Sequence, residues 1–305
     1  MNKFILRQSF LLFLAATIWG VAFVAQSVGM EYVEPFTFVA TRNVIGAVVL
    51  LPVIAMMSKS KVNQTDDNEA DKTEKYTAKT LVIGGMCCGV CLFVASCLQQ
   101  YGIKETTVGK AGFITAMYMI IVPVFGIFIG KKTNLRIWIA VALACAGMYL
   151  LCMTSADLRL QKGDILVFAC AICFAFHILT IDYFSPKVDG VKLSCIQFVT
   201  CAVLSTVCML IFESPSIEKI LAAWLPILYA GAFSSGVAYT LQIIGQKGLN
   251  PTVASMIMSL ESVISVIAGW IILGQALSKR EMLGCVISFV AIIQVQLPDK
   301  NQTES

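Results

Sequence analysis

From Gln8 to Met30 the chain carries no charged side chain, and runs of the same kind recur at 80–103, 111–130, 137–156, 193–212 and 220–246. A chain that buries such runs in a bilayer has two options, because lipid offers backbone N–H and C=O groups no partners. Helices satisfy those groups internally, and closed β-barrels satisfy them between strands. The barrel is excluded here: the runs are continuous instead of alternating, and each exceeds the roughly 10 residues of a barrel strand. Shorter uncharged runs lie at 165–181 and 282–298. Two more are interrupted by one ionisable residue each, 35–57 by Arg42 and 252–273 by Glu261. The expectation is an all-α integral membrane protein of ten helices. Composition agrees, with 58% hydrophobic and 13% charged residues, against roughly 25% charged in soluble domains.

Leu98-Gln99-x-x-Gly102-x-Lys104 recurs as Leu241-Gln242-x-x-Gly245-x-Lys247, and each copy closes an apolar run. Such a recurrence marks an internal duplication. Five expected spans precede residue 157 and five follow it, giving repeats at 1–156 and 157–298 and a short tail at 299–305. An odd number of spans per repeat inverts the second relative to the first, the arrangement from which alternating-access transporters are built. Of the 22 Lys and Arg, fourteen fall in segments on the side of the N-terminus, seven on the other, and Arg42 lies within a span. Basic residues accumulate on the cytoplasmic side, so both termini are expected there. The first apolar run is longer than the 7 to 15 residues of a signal-peptide core and is read as a span. Residues 58–79 mix charges of both signs with few apolar side chains and read as a disordered cytoplasmic loop.

Polar groups at membrane depth are costly, about 2.5 to 3.5 kcal/mol for a charge on insertion scales, so they are the candidate site residues. Glu261 lies near the middle of its span and shares a helical face with Ser265, beside a stripe of Ser255, Ser259 and Ser262. It either binds a cationic group or a coupling proton, or stands as a structural carboxyl. Arg42 cannot shed its charge; it either pairs with Glu261 or another acid as a lock, or attracts an anionic part of a substrate. His177, the single histidine, is a candidate proton acceptor or a packed, hydrogen-bonded side chain. Trp19 and Tyr118 fall near mid-span, away from the interfaces where aromatic belts sit, and could stack on a substrate or fill core. In the inverted topology Gln99 and Gln242 sit towards opposite mouths, which makes them, with Gly102 and Gly245, candidates for gates or hinges. Helix-end capping is the alternative for the two glycines. Gly85-x-x-x-Gly89 and Gly126-x-x-x-Gly130 are small-residue packing signals. The second also suits weak homodimerisation, the alternative being a monomer. The cysteines lie almost all within spans and read as small hydrophobes.

The chain has no phosphate loop, no His-Glu-x-x-His, no Gly-x-Ser-x-Gly and no soluble domain to carry one. No cofactor, metal or nucleic-acid partner is expected. The partners that fit are a small-molecule substrate and membrane lipid, with a proton as candidate coupling ion.

The order and spacing of these features resemble the EamA-domain permeases of the drug/metabolite transporter superfamily. The resemblance rests on Ile18-Trp19-Gly20 with Phe23, on Pro35 followed by Arg42, and on Gln99 through Gly102. It continues in Lys110-Ala111-Gly112-Phe113-Ile114-Thr115 with Pro123, and in Ser259-Leu260-Glu261. It spans almost the whole chain. Two positions depart from the family pattern: Ser262 stands where proline often follows the glutamate, and Gln275 where glutamate follows the glycine that ends the span. The resemblance implies ten helices in two inverted five-helix repeats and a secondary transporter of small metabolites in the inner membrane, export preferred. The alternatives are a multi-pass enzyme acting on a lipid-borne substrate, and a membrane receptor or scaffold.

Overall fold

A computed structural model describes residues 3–62, 78–106, 108–130, 134–152, 161–273 and 278–296, and within them every element is a helix. In chain order these are α1 (Lys3–Gly29), α2 (Pro35–Val62), α3 (Ala78–Glu105), α4 (Val108–Phe128), α5 (Leu135–Cys152), α6 (Lys162–Phe184), α7 (Gly190–Phe212), α8 (Trp224–Gln246), α9 (Pro251–Ile272) and α10 (Lys279–Gln296). A short helix, Ile217–Ala222, precedes α8. Eight of them are long and apolar enough to cross a membrane. The apolar parts of α5 and α10 are shorter, Leu135–Leu150 and Met282–Gln294. Of the expected 58–79 loop, residues 58–62 continue α2 and 78–79 open α3. The rest of that loop, the 299–305 tail and Gln275 lie outside the described residues.

Local chemistry sets several helix starts. Asp189 accepts the N–H groups of Val191 and Lys192 at the start of α7, and Asn250 accepts that of Thr252 ahead of Pro251 at the first turn of α9. Both are N-caps that satisfy donors a helix leaves open. Gln161 and Asp164 cap α6 reciprocally. Gly130, at φ +80, ends α4. A Cβ on Gly130 would meet nothing within 4 Å, whereas Gly85 and Gly89 bring α3 against Ile196 and Thr200 of α7.

Burial is inverted relative to a soluble protein. Phe128 is 81% exposed, and Leu135, Phe212 and Ile217 also face outward, while Asn43, Gln100, His177 and Gln197 are fully buried. Water would penalise that surface; lipid does not.

Contacts between the two halves come in exchanged pairs. α3 packs on α6 and α8 on α1; α3 packs on α7 and α8 on α2; α4 packs on α6 and α9 on α1. α2 with α7, α4 with α9 and α5 with α10 are their own counterparts. This pattern is a pseudo-twofold relation between halves. The tightest groupings therefore mix the halves, into one bundle of α3, α4, α6 and α7 and another of α8, α9, α1 and α2. The polypeptide runs in opposite directions in the two halves. α1 begins beside Lys247, where Gln8 bonds its carbonyl, whereas α6 begins beside Lys110, at the opposite end.

Candidate functional site

α4 and α9 each break near their middle, at corresponding places. α4 has a turn at 116–117 between Thr115 and Tyr118, and α9 one at Ser259 between Met258 and Leu260. The offset that takes Gln99 to Gln242 takes Ala116 to Ser259. Both breaks substitute a tighter i→i+3 bond: Met119 N–H donates to the Ala116 carbonyl at 3.0 Å, and Ser262 N–H to the Ser259 carbonyl at 3.1 Å. The break in α9 thus forms with Ser262, and not a proline, after Glu261. Ser262 Oγ also ties α9 to α4 through the Gly112 carbonyl at 2.7 Å.

Beside these breaks Tyr118 Oη donates to Glu261 Oε1 at 3.0 Å, across 143 residues of sequence. That separation equals the repeat offset, so the bond joins equivalent positions and lies on the pseudo-twofold axis. Gly20 lets α1 approach this point. A Cβ on it would lie 2.6 Å from Ile264 Cβ and 2.8 Å from the Glu261 carbonyl oxygen, well inside van der Waals contact.

A cavity forms around the axis, lined by Trp19, Arg42, Tyr118 and Glu261 among others. Ten of its lining residues fall into equivalent pairs: Gln99 with Gln242, Thr115 with Met258, Tyr118 with Glu261, Trp19 with Phe174, and Phe23 with Ile178. Free space amounts to about 30 Å³, enough for water but far below the several hundred Å³ of a metabolite site. A solute of that size enters only when the bundles part. A second groove of about 580 Å³, bounded by Phe125, Phe128, Phe176 and Tyr183, contains no charged side chain in its lining and opens on the exposed apolar surface.

Arg42 is 2% exposed. Its Nη1 donates to Gln26 Oε1 at 3.3 Å and its Nη2 to Ser96 Oγ at 2.9 Å, while Nε has no partner. Lys104 pairs with Glu34 and Lys110 with Asp164, whereas Arg42 bonds Gln26 and Ser96 and Glu261 bonds Tyr118, so the lock between Arg42 and Glu261 is not formed. The reason is position: Glu261 faces Tyr118 on the axis, whereas Arg42 is held between α1 and α3 by neutral oxygens. Trp19 lies on the lining, donating Nε1–H to the Ser234 carbonyl at 3.3 Å, with its ring 4.8 Å from that of Tyr239 in an edge contact. Ser234 and Tyr239 belong to an 11-residue π-helical stretch of α8, Tyr229–Tyr239. Such stretches are rare and concentrate at functional sites; the corresponding part of α3 is regular α-helix.

The remaining expected residues divide. Gln99 and Gln242, anticipated at opposite mouths, both reach the one cavity. Gln99 Nε2 donates to Thr115 Oγ1 at 3.3 Å, and Gln242 Oε1 has no partner. Gly102 and Gly245 are close-contact points within α3 and α8 instead of caps. A Cβ on Gly102 would collide with Val167 of α6, and one on Gly245 would lie 3.0 Å from Leu12 of α1. His177 is fully buried but stands behind the lining. Its Nε2 is 3.1 Å from Gln197 Oε1, and its ring faces those of Phe174 and Tyr239. Gln26, Phe174, Ser234 and Tyr239 line the cavity without having been singled out from the sequence. Phase-shifting the repeat would have found Phe174, the counterpart of Trp19.

Paired inverted halves, helices broken at the axis and a polar cavity between them define a multi-pass membrane protein of the transporter type. The chain belongs to the EamA-like transporter family, whose model matches it twice, over residues 6–153 and 161–296. It is 26% identical to an uncharacterized transporter of Archaeoglobus fulgidus over 93% of this chain and 84% of that one. It is 23% identical to the uncharacterized transporter YoaV of Bacillus subtilis over 88% and 90% of the two chains. A solved crystal structure shares the fold, with a TM-score of 0.76 at 18% identity over 98% of this chain and 99% of its own.

Proposed function

We propose that this chain is a secondary transporter that carries small metabolites, such as amino acids or related compounds, out across the cytoplasmic membrane. It crosses the membrane ten times, with α5 and α10 as its shortest crossings, as repeats 1–156 and 157–298. Both termini are cytoplasmic, in keeping with the distribution of Lys and Arg. One observation carries the reading: a buried guanidinium without a carboxylate partner and a buried carboxyl on the pseudo-twofold axis line the same cavity. A guanidinium in such a place favours an anionic group, and a carboxyl a cationic group or a proton. Trp19 and Tyr118 supply aromatic surface between them. Gln99 and Gln242 act as polar ligands on the cavity wall, while Gly102 and Gly245 keep α3 on α6 and α8 on α1 as the bundles rock.

Metabolite profiling of medium and cytoplasm with the gene deleted and overexpressed identifies the solute, and flux into proteoliposomes tests it. The expected result is net movement of that solute, driven by its own gradient or by a pH gradient. Product chemistry without net movement would replace the transporter with a membrane enzyme. Ligand binding without flux would replace it with a receptor. Unchanged flux in both Glu261→Gln and Trp19→Ala would displace the site.

A further inference from the structure

At the end of the molecule formed by the α1–α2 connection and the end of α3, polar links join the two bundles. Glu34 and Lys104 form an ion pair at 2.7 Å, joining the α1–α2 connection of one bundle to α3 of the other. Glu213, at the end of α7, accepts the N–H groups of Phe36 and Thr37 at 2.8 Å each and the Thr37 hydroxyl at 2.7 Å. These bonds tie α7 to the first turn of α2, again between bundles.

The repeat supplies counterparts for the ion pair. The offset that relates Trp19 to Phe174 takes Glu34 to Asp189, and the offset that relates Gln99 to Gln242 takes Lys104 to Lys247. Charge sign is preserved at both positions. Asp189 precedes α7 in one bundle and Lys247 ends α8 in the other, so the second pair also spans the bundles, at the opposite end of the molecule. The two elements are neighbours: a Cβ on Gly190 would lie 3.2 Å from Ile243 and 3.4 Å from Ile244, one turn before Lys247. Yet the pair is not made. Asp189 Oδ1 instead accepts the N–H groups of Val191 and Lys192 at 3.0 and 3.1 Å, and Lys247 is exposed.

We infer that Asp189 and Lys247 are the latch of the second mouth, closing as Glu34 and Lys104 separate. In an inverted-repeat protein, exchanging the conformations of the two halves turns one closed mouth into the other. A contact made by one half in this state is then made by its counterpart in the opposite state. The structure carries the acid and the base for both. The inference rests on the transporter reading, since it assigns the two residues to alternation between mouths.

Hydrogen–deuterium exchange of the full chain in lipid nanodiscs reads both mouths without a known solute. Each latch is an exposed pair, so its loss shifts the ratio of the two states by about two- to fivefold. Lys104→Glu is expected to speed exchange at residues 30–38 by that factor. Lys247→Glu, at the far end of the molecule, is expected to slow exchange at the same residues by a similar factor, because it disfavours the state in which that mouth opens. Combining Glu34→Lys with Lys104→Glu restores the pair and the original rate. If Lys247→Glu alters only its own surroundings and leaves 30–38 unchanged, the latch is wrong. Reciprocal exchange in a protein that moves no solute would remove the transporter reading and keep the latch, whereas flux with purely local exchange would do the reverse.

Discussion

The two halves of this molecule share a skeleton and differ in chemistry where they meet. α4 and α9 break at corresponding residues, and α3 and α8 carry glycines where each crosses the other half. On the cavity wall the correspondence fails in a directed way. Tyr118 faces its counterpart Glu261, Met258 stands for Thr115, and Gln197 occupies the position of Arg42. Backbone geometry is duplicated because it is set by packing that both halves need. Charge in the cavity lining is not duplicated, because two acids on the axis would repel and two buried guanidiniums would each lack a counter-ion. The duplication therefore builds the cavity, and divergence between the halves leaves it one guanidinium and one carboxyl in its lining.

The sharpest way to break this picture is to erase the divergence. Glu261→Gln keeps an oxygen to accept the Tyr118 hydroxyl while removing the charge. Flux of the identified solute should fall roughly ten- to a hundredfold, the scale of a lost hydrogen bond to a charged group, with thermal stability little changed. Flux at the original level would make the carboxyl structural. Arg42→Gln installs the residue its counterpart already has. Flux should drop about tenfold, a loss of about 1.4 kcal/mol in solute binding, while the melting temperature stays level or rises, because an uncompensated buried charge is removed. A steep loss of stability would instead mean that Gln26 and Ser96 hold Arg42 as a strut.

Much of this was legible in the sequence, and the limits have physical causes. Uncharged runs fix the helices because lipid leaves the backbone no alternative. The inversion follows from five spans in each half. Trp19, Arg42, Tyr118 and Glu261 were recognisable because polar or amphipathic groups at mid-span are expensive. Gln99 and Gln242 line one cavity, which linear topology does not show, since it measures depth along a helix and says nothing of how α3 and α8 lie across from each other. Ser234 and Tyr239 were invisible for another reason: they reach the cavity through a π-helical stretch that no side-chain period announces. Arg42 and Glu261, free to pair on charge alone, take separate partners, Gln26 with Ser96 and Tyr118, because depth in a span does not say which side chains face each other.

Smaller effects sharpen the comparison at the helix crossings. Gly102→Ala should cost about 1 to 3 kcal/mol in thermal unfolding, because the new methyl collides with Val167 and also lies 3.0 Å from the Gly163 carbonyl oxygen. Gly245→Ala should cost less, since its nearest neighbours, Leu12 Cδ2 and Cγ, lie at 3.0 Å and the Gln8 carbonyl oxygen at 3.2 Å. Equal losses would mean that the two crossings are more alike than their side chains indicate.

His177 provides the smallest expected change and the finest test. Its counterpart is Ala22, so nothing in the duplicated skeleton requires a polar group there, and the imidazole bonds Gln197 behind the cavity wall. His177→Gln retains a side chain able to bond Gln197 and should shift stability by no more than about 1 kcal/mol, the scale of a typical hydrogen bond. Flux under a fixed solute gradient and its dependence on pH should both be unchanged. If the pH dependence disappears while the protein stays folded, the second half holds its proton-handling group behind Tyr239, and the axis carboxyl is left with solute binding alone.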